Sequence, residues 1–282
     1  MEVKLACMTL PYSELPFERA LEGIACAGYE YVAYGWSHQG AEVPDPLGGP
    51  DEVAEIRRKV EDAGLETVLL TAPGGGLTDD EGVTKFQRRM EQARELGCRF
   101  LLAHGPWEYE SWPDKKHPPE RWKEMTDPWF EAMTSLARDA ESLGAHIVLK
   151  PHTGTTASGA VLRETIERIG SDAVRVCYDG GNVHFYEGLD PVEDIKICAD
   201  LVEAICVKDH TGPRANPLFP CPGEGDVDHP GMLRVLKEYG FNGPCCVERF
   251  EGPHKKAEMP PELLDRLAGE TLEYLCGAVA EI

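Results

Sequence analysis

What most constrains this chain is an alternation that runs its whole length, in which short apolar runs of strand-like composition take turns with longer amphipathic segments of helical period. Strands are expected at 4–9, 31–34, 66–71, 99–103, 146–150, 175–178, 204–207 and 245–248. Helices are expected at 17–27, 50–63, 79–96, 128–143, 160–169, 191–199, 230–239 and 261–279. Gly28, Gly64, Gly97, Gly144, Gly170 and Gly240 each follow a helical stretch, where a left-handed closing residue is wanted. Eight strand-helix units occupy about 250 residues or more. The 282 residues therefore read as one α/β domain spanning 1–282, a single (β/α)8 TIM barrel. An open doubly wound sheet is the weaker reading. The turn after the first strand, Leu10-Pro11-Tyr12-Ser13, has no glycine-rich phosphate signature, and Gly74-Gly75-Gly76 is not followed by the Lys-Ser/Thr of a phosphate loop.

In a parallel barrel the C-terminal strand ends open on one mouth, and catalytic groups collect there. Four apolar runs in the second half end in chemically capable residues, which would bring Lys150, Asp179, Cys206, Lys208 and Glu248 together despite their separation in sequence. Structural roles stand beside the functional ones. Lys150 could pair with Asp179 or Glu248, Asp179 could cap the Gly180-Gly181 turn, Cys206 could be packing, Lys208 could pair with Asp209, and His184 could be a surface loop residue. Glu248 is harder to set aside, because a carboxylate at the end of an apolar strand is costly to bury without a partner.

Composition bounds the partners. With 50 acidic against 28 basic residues the formal charge is −22, which repels a phosphate backbone and speaks against nucleic acid. No apolar run approaches the roughly 20 residues of a membrane span, and the chain enters a strand almost at once, so a cytoplasmic protein without membrane contact is expected. The ten cysteines include no Cys-x-x-Cys pair and read as small buried hydrophobes.

Between the fourth strand and its helix, a loop at about 104–127 carries Trp107, Tyr109, Trp112 and Trp122. Aromatic faces stack on the apolar sides of sugars, and they also mark interfaces, so the loop reads equally as a lid or as a contact of a homo-oligomer. His104, at the end of the fourth strand, and Trp36, after the second, are candidate walls.

Several motifs, in this order and spacing, resemble the xylose-isomerase-like barrels: Tyr178-Asp179-Gly180-Gly181-Asn182, Tyr186-Glu187-Gly188-Leu189-Asp190-Pro191, Val207-Lys208-Asp209, Gly223-Glu224-Gly225-Asp226-Val227-Asp228, and Gly243-Pro244 leading to Val247-Glu248. The resemblance covers essentially the whole chain and is densest from Lys150 onward. That family includes sugar and keto-sugar isomerases and epimerases, inosose dehydratases and an abasic-site endonuclease branch. The resemblance implies a divalent metal (manganese, magnesium, zinc or cobalt) held by acidic and histidine residues at the ends of strands five to eight, and no nucleotide cofactor. Asp179 and Glu248 match two of those positions. Lys150 and Cys206 stand where a glutamate and a histidine are expected, and a lysine ammonium has no lone pair for a metal. A site could still assemble from Asp179 and Glu248 with Cys206, His210 or His152.

The implied activity is isomerisation or epimerisation of a carbohydrate by proton transfer next to a carbonyl, through an enediolate. Glu248 would move the proton. A bound divalent cation would stabilise the enediolate; without one, Lys150 and Lys208 would hold the oxyanion, or a lysine of lowered pKa would act as base or form a Schiff base. His104, His152, His184, Trp36 and Trp107 would bind the substrate. The alternatives are a lyase or hydrolase on a keto-glycoside or cyclitol, and a non-catalytic ligand-binding barrel. The nuclease branch ranks last, because the strand-seven histidine is missing and the chain is acidic.

Overall fold

The computed structural model describes residues 3–72, 74–77, 79–252 and 256–282. Eight parallel strands close into a barrel in chain order: β1 (Lys4–Met8), β2 (Tyr31–Tyr34), β3 (Glu66–Thr71), β4 (Phe100–Ala103), β5 (His146–Leu149), β6 (Val174–Asp179), β7 (Val202–Val207) and β8 (Pro244–Val247), which pairs back with β1. Runs such as Phe100–Ala103 and Pro244–Val247 are buried at every position, because side chains of one parity fill the barrel while the other parity lies under the helices. This explains why these strands read as continuous apolar runs rather than alternating ones.

The outer layer is α1 (Phe17–Cys26), α2 (Pro50–Asp62), α3 (Asp80–Glu95), α4 (Pro119–Leu143), α5 (Gly159–Ile169), α6 (Pro191–Ile195), α7 (His229–Glu238) and α8 (Pro261–Ala280). The glycines expected to close helices do have positive φ, and Gly144, at +65°, caps α4 with its N–H on the turn before it.

Three expectations need correction. The fourth helix begins at Pro119 rather than at 128, since a proline is well placed in a first turn and Pro128 is carried inside the helix. The insertion is thus 104–118, and Trp122 lies on α4. Within it, Tyr109–Ser111 and Lys115–Lys116 form a small antiparallel hairpin. Past β6 the chain makes a helical segment, Gly180–Asn182 followed by Val183–Glu187, which its paired glycines had hidden. All ten cysteines are free, seven of them buried, as packing residues would be. No helix among the described residues is long and apolar enough to cross a membrane.

Strand register builds the mouth. Asp179 lies opposite Cys206 and Cys206 opposite Cys246, so the ends of β6, β7 and β8 are level. Lys208 and Glu248 each follow two residues on and return to the same face. The ladder continues past the strands, with the Glu248 N–H donating to the Val207 carbonyl and the Lys150 N–H to the Ala103 carbonyl, both at 2.8 Å.

Candidate active site

Four charged side chains meet at this mouth. The Lys150 ammonium donates to both carboxylate oxygens of Glu248, at 2.8 and 2.6 Å, and lies 3.6 Å from Asp179 Oδ2. The Lys208 ammonium bridges the same acids, 3.2 Å from Asp179 Oδ2 and 3.2 Å from Glu248 Oε1. Two positive charges thus balance two negative ones in a nearly water-free site. The Lys150, Lys208 and Glu248 side chains keep 9, 9 and 11 % of their surface exposed, whereas Asp179 keeps none. A ligand entering the mouth can therefore touch the first three, and Asp179 is sealed beneath them.

The charges shift one another. Burial pushes the Glu248 carboxyl up, but Lys150 and Lys208 together hold it well below the ordinary range. Burial also dominates at Asp179, and with Glu248 it outweighs the two lysines, so its pKa is raised. For Lys150 burial acts downward, while Glu248, Cys206 and Asp179 lift it well above the usual lysine value. Lys150 is therefore held as a cation, which speaks against Lys150 as a neutral base or Schiff-base former. Lys208 pairs with Asp179 and Glu248, not with Asp209. The Asp209 carboxylate instead accepts the backbone N–H groups of His210, Gly223, Gly225 and Val227 at 2.8–3.1 Å.

Local backbone features hold the lysines. A Cβ on Gly181 would lie 2.6 Å from Lys208 Cγ and 2.8 Å from its carbonyl oxygen, so this glycine makes room for Lys208. Asp179 Oδ1 accepts the Asn182 N–H at 2.8 Å, capping the helical segment, and the Asn182 amide donates to the Pro151 carbonyl at 2.6 Å, just past Lys150. Imidazole rings stand beside the charges. His104 and His152 stack with centroids 4.8 Å apart, and Tyr186 Oη meets His152 Nε2 at 3.1 Å. Burial, then His104, then Lys150 and Lys208 pull the His152 pKa down to about 2, leaving it neutral. Burial, aided by Lys150, also lowers His104.

His184 and His210 form a separate pair. His210 Nε2 is 2.8 Å from the Asn216 carbonyl and must carry the proton there, so its Nδ1 accepts from His184 Nδ1 at 2.8 Å. His184 is half-buried in the helical segment rather than on a surface loop. Around these rings the aromatic side chains of the insertion pack on the chain itself. Trp107 contacts His152 and Tyr186, and Trp112 contacts Phe185 and Tyr186. Arg214 pins the hairpin down, stacking over Trp112 at 4.8 Å and donating to Tyr109 Oη at 2.9 Å and the Tyr186 carbonyl at 2.6 Å. Trp36 lies across the mouth under the buried Arg89 guanidinium, 5.3 Å from it. Tyr186, Asn182, Asp209 and Arg214 are the site-building residues whose roles the sequence did not expose. Each works through a partner distant in the chain.

Asp179, Cys206 and Glu248 each offer a ligand atom within 4.8 Å of the others, a group of a kind that can hold a metal ion. A dication needs free, deprotonated donors. Here both carboxylates are engaged by ammonium groups, and the Cys206 thiol, hydrogen-bonded to Cys177 across 3.6 Å and fully buried, is held well above its ordinary pKa. His210, a further expected ligand, is not brought to the group and has both ring nitrogens committed elsewhere. As arranged, the donor set does not fit a divalent metal. Two ammonium groups carry the charge that a dication would.

The sequence profile of the family described as xylose isomerase-like TIM barrel matches residues 21–270. The chain belongs to that family. Among similar proteins, an inosose dehydratase of Lacticaseibacillus casei is 23% identical over 272 residues, covering 86% of this chain and 85% of its own. Two solved structures are similar in fold. D-psicose 3-epimerase with D-tagatose, from Clostridium cellulolyticum H10, has a TM-score of 0.76 at 14% identity over 96% of this chain and 98% of its own. The IOLI protein with a bound zinc atom has a TM-score of 0.73 at 21% identity over 96% of each chain. That similar barrel is described with a bound zinc atom, whereas in this chain two ammonium groups face the carboxylates.

Proposed function

We propose that this barrel is an enzyme that moves a proton on the carbon next to the carbonyl of a small polyhydroxylated ketone, with epimerisation or isomerisation as the outcome. The observation that carries the proposal is the Lys150 ammonium bound to both oxygens of Glu248 at the open mouth, with Lys208 beside it. Removing such a proton puts negative charge on the carbonyl oxygen. Ammonium groups already fixed in a water-poor site stabilise that charge without reorganising as it forms. In the resting site the lysines suppress the basicity of Glu248. When the ketone oxygen and the neighbouring hydroxyl accept from Lys150 and Lys208, Glu248 loses those hydrogen bonds and becomes a stronger base beside the C–H bond. The proton then sits on Glu248: its return to the adjacent carbon on the same face gives isomerisation, whereas epimerisation requires that a solvent proton reach the opposite face while Glu248 releases its own to solvent. Asp179, out of reach of substrate, is a positioning residue that keeps the lysines charged and in place. His104 and His152, neutral, are suited to the substrate's hydroxyl groups. No step requires a metal.

A second reading is favoured by the inosose dehydratase among the relatives, matched over 86% of this chain. Elimination of a hydroxyl group from the same enolate would give dehydration. Proton NMR of the protein in heavy water with a panel of ketoses and inososes separates the two. The expected result is loss of the C–H signal next to the carbonyl, with a new epimer. A conjugated enone absorbance with loss of water would select dehydration, and no exchange across the panel would sink both.

A further inference from the structure

The mouth has two unlike halves. Past β5 to β8 lie the charges just described. Past β2 to β4 lies a cavity of about 580 Å³, within the roughly 300–1,000 Å³ of pockets that take drug-sized ligands. Trp36, the Gly74–Gly76 strip, His104, Trp107 and Met125 line it. Its donors and acceptors are few and mostly spent. The Thr71 hydroxyl donates to the Tyr34 carbonyl at 2.6 Å, His104 Nδ1 is 2.9 Å from the Gly105 carbonyl, and the Gly74 carbonyl accepts Trp129 Nε1 at 3.0 Å. A second sugar ring there would leave hydroxyl groups without partners, which is costly. A flat apolar ring needs none, and two tryptophan faces suit it.

The halves are joined through the histidines. His104 is both a cavity wall and close enough to feel the charges of Lys150 and Glu248, and His152 links it to the Trp107 ring, 5.3 Å away. The glycine strip is built for this shape. A Cβ on Gly74 would lie 2.5 Å from the backbone nitrogen of His104, so the strip runs flat against the fourth strand's end and leaves the space above it open.

We infer that the substrate is amphiphilic, a polyhydroxylated ring for the charged half bearing an aromatic substituent that occupies the apolar half, as in an aryl glycoside. The inference rests on the proposed function for the sugar end, but its test reads binding alone. Isothermal titration with phenyl β-D-glucopyranoside, methyl β-D-glucopyranoside and cellobiose compares substituents on one sugar. The phenyl compound is expected to bind about ten-fold or more tightly than the methyl compound, from the apolar area a ring adds. Trp107→Ala should collapse that ratio toward one. Gly76→Leu is a second route, since a Cβ there meets nothing within 4 Å and the added side chain takes up space in the cavity. It too should abolish the phenyl preference in a folded protein. Equal or undetectable binding of the phenyl and methyl compounds, or a phenyl preference that survives both substitutions, overturns the inference, and tighter binding of cellobiose than of the phenyl glycoside replaces it with a second sugar subsite. Failure of proton exchange with a phenyl preference intact would sink the proposed reaction and leave this site standing.

Discussion

Lys150 Nζ lies 2.8 and 2.6 Å from the two carboxylate oxygens of Glu248, joining the ends of β5 and β8 across 98 residues of chain. Removing Lys150 leaves Lys208 alone facing two buried carboxylates, so one negative charge goes uncompensated, at a cost of up to about 3–5 kcal/mol. Lys150→Met should therefore lower the melting temperature by on the order of 10 °C. The double variant Lys150→Met/Glu248→Gln should recover much of that loss. A single variant as stable as the parent would show that the pair carries no such energy.

Replacing Lys150 by an acid reverses the local charge. Lys150→Glu adds a carboxylate beside Asp179, Glu248 and Cys206, whose ligand atoms already lie within 4.8 Å of one another. The variant should acquire zinc or manganese, seen by elemental analysis and as a metal-dependent rise in melting temperature. The parent protein should show neither. Stoichiometric metal in the parent, lost on Asp179→Ala, would contradict the reading of the lysines as resident cations.

The pH dependence of stability carries the mark of His152. Its folded pKa is about 2, against about 6.5 when unfolded, so between those values the unfolded chain binds the extra proton. This group therefore subtracts stability as the pH falls below about 6.5. Urea unfolding at pH 7 and pH 5 should show His152→Asn losing less stability over this interval than the parent. Equal losses would place the acid sensitivity elsewhere.

Gly181→Ala tests the seat of Lys208. The added methyl meets both Lys208 Cγ and the Lys208 carbonyl, the latter being backbone that cannot swing away. Overpacking of this kind costs about 1–3 kcal/mol. Turnover should fall more than stability explains, because the ammonium moves off Glu248. Unchanged turnover would show that the position of Lys208 is not critical.

Much of the barrel was legible because its strands are buried on both faces and its helices close on glycines, so each element carries its own signal. The gathering of Lys150, Asp179, Cys206, Lys208 and Glu248 followed from the same logic, since parallel strand ends share a mouth. Side-chain partnership was not legible. Lys208 and Asp209 are adjacent in sequence and look like a pair, yet strand alternation points them to different surroundings, one to the acids and the other to a ring of backbone N–H groups. The start of α4 was misplaced because Pro128 marks a boundary as well as Pro119 does. The state of Lys150 needed the structure outright, since burial and two carboxylates push its pKa in opposite directions and only their distances decide.

Solvent-deuterium incorporation next to the carbonyl of a ketose or inosose, measured by NMR before and after exhaustive chelation, tests most directly whether Lys150 and Lys208 take the part of a metal. Incorporation that persists after chelation and disappears in Glu248→Gln is the expected result. Incorporation that stops with the chelator and returns with added metal would contradict it.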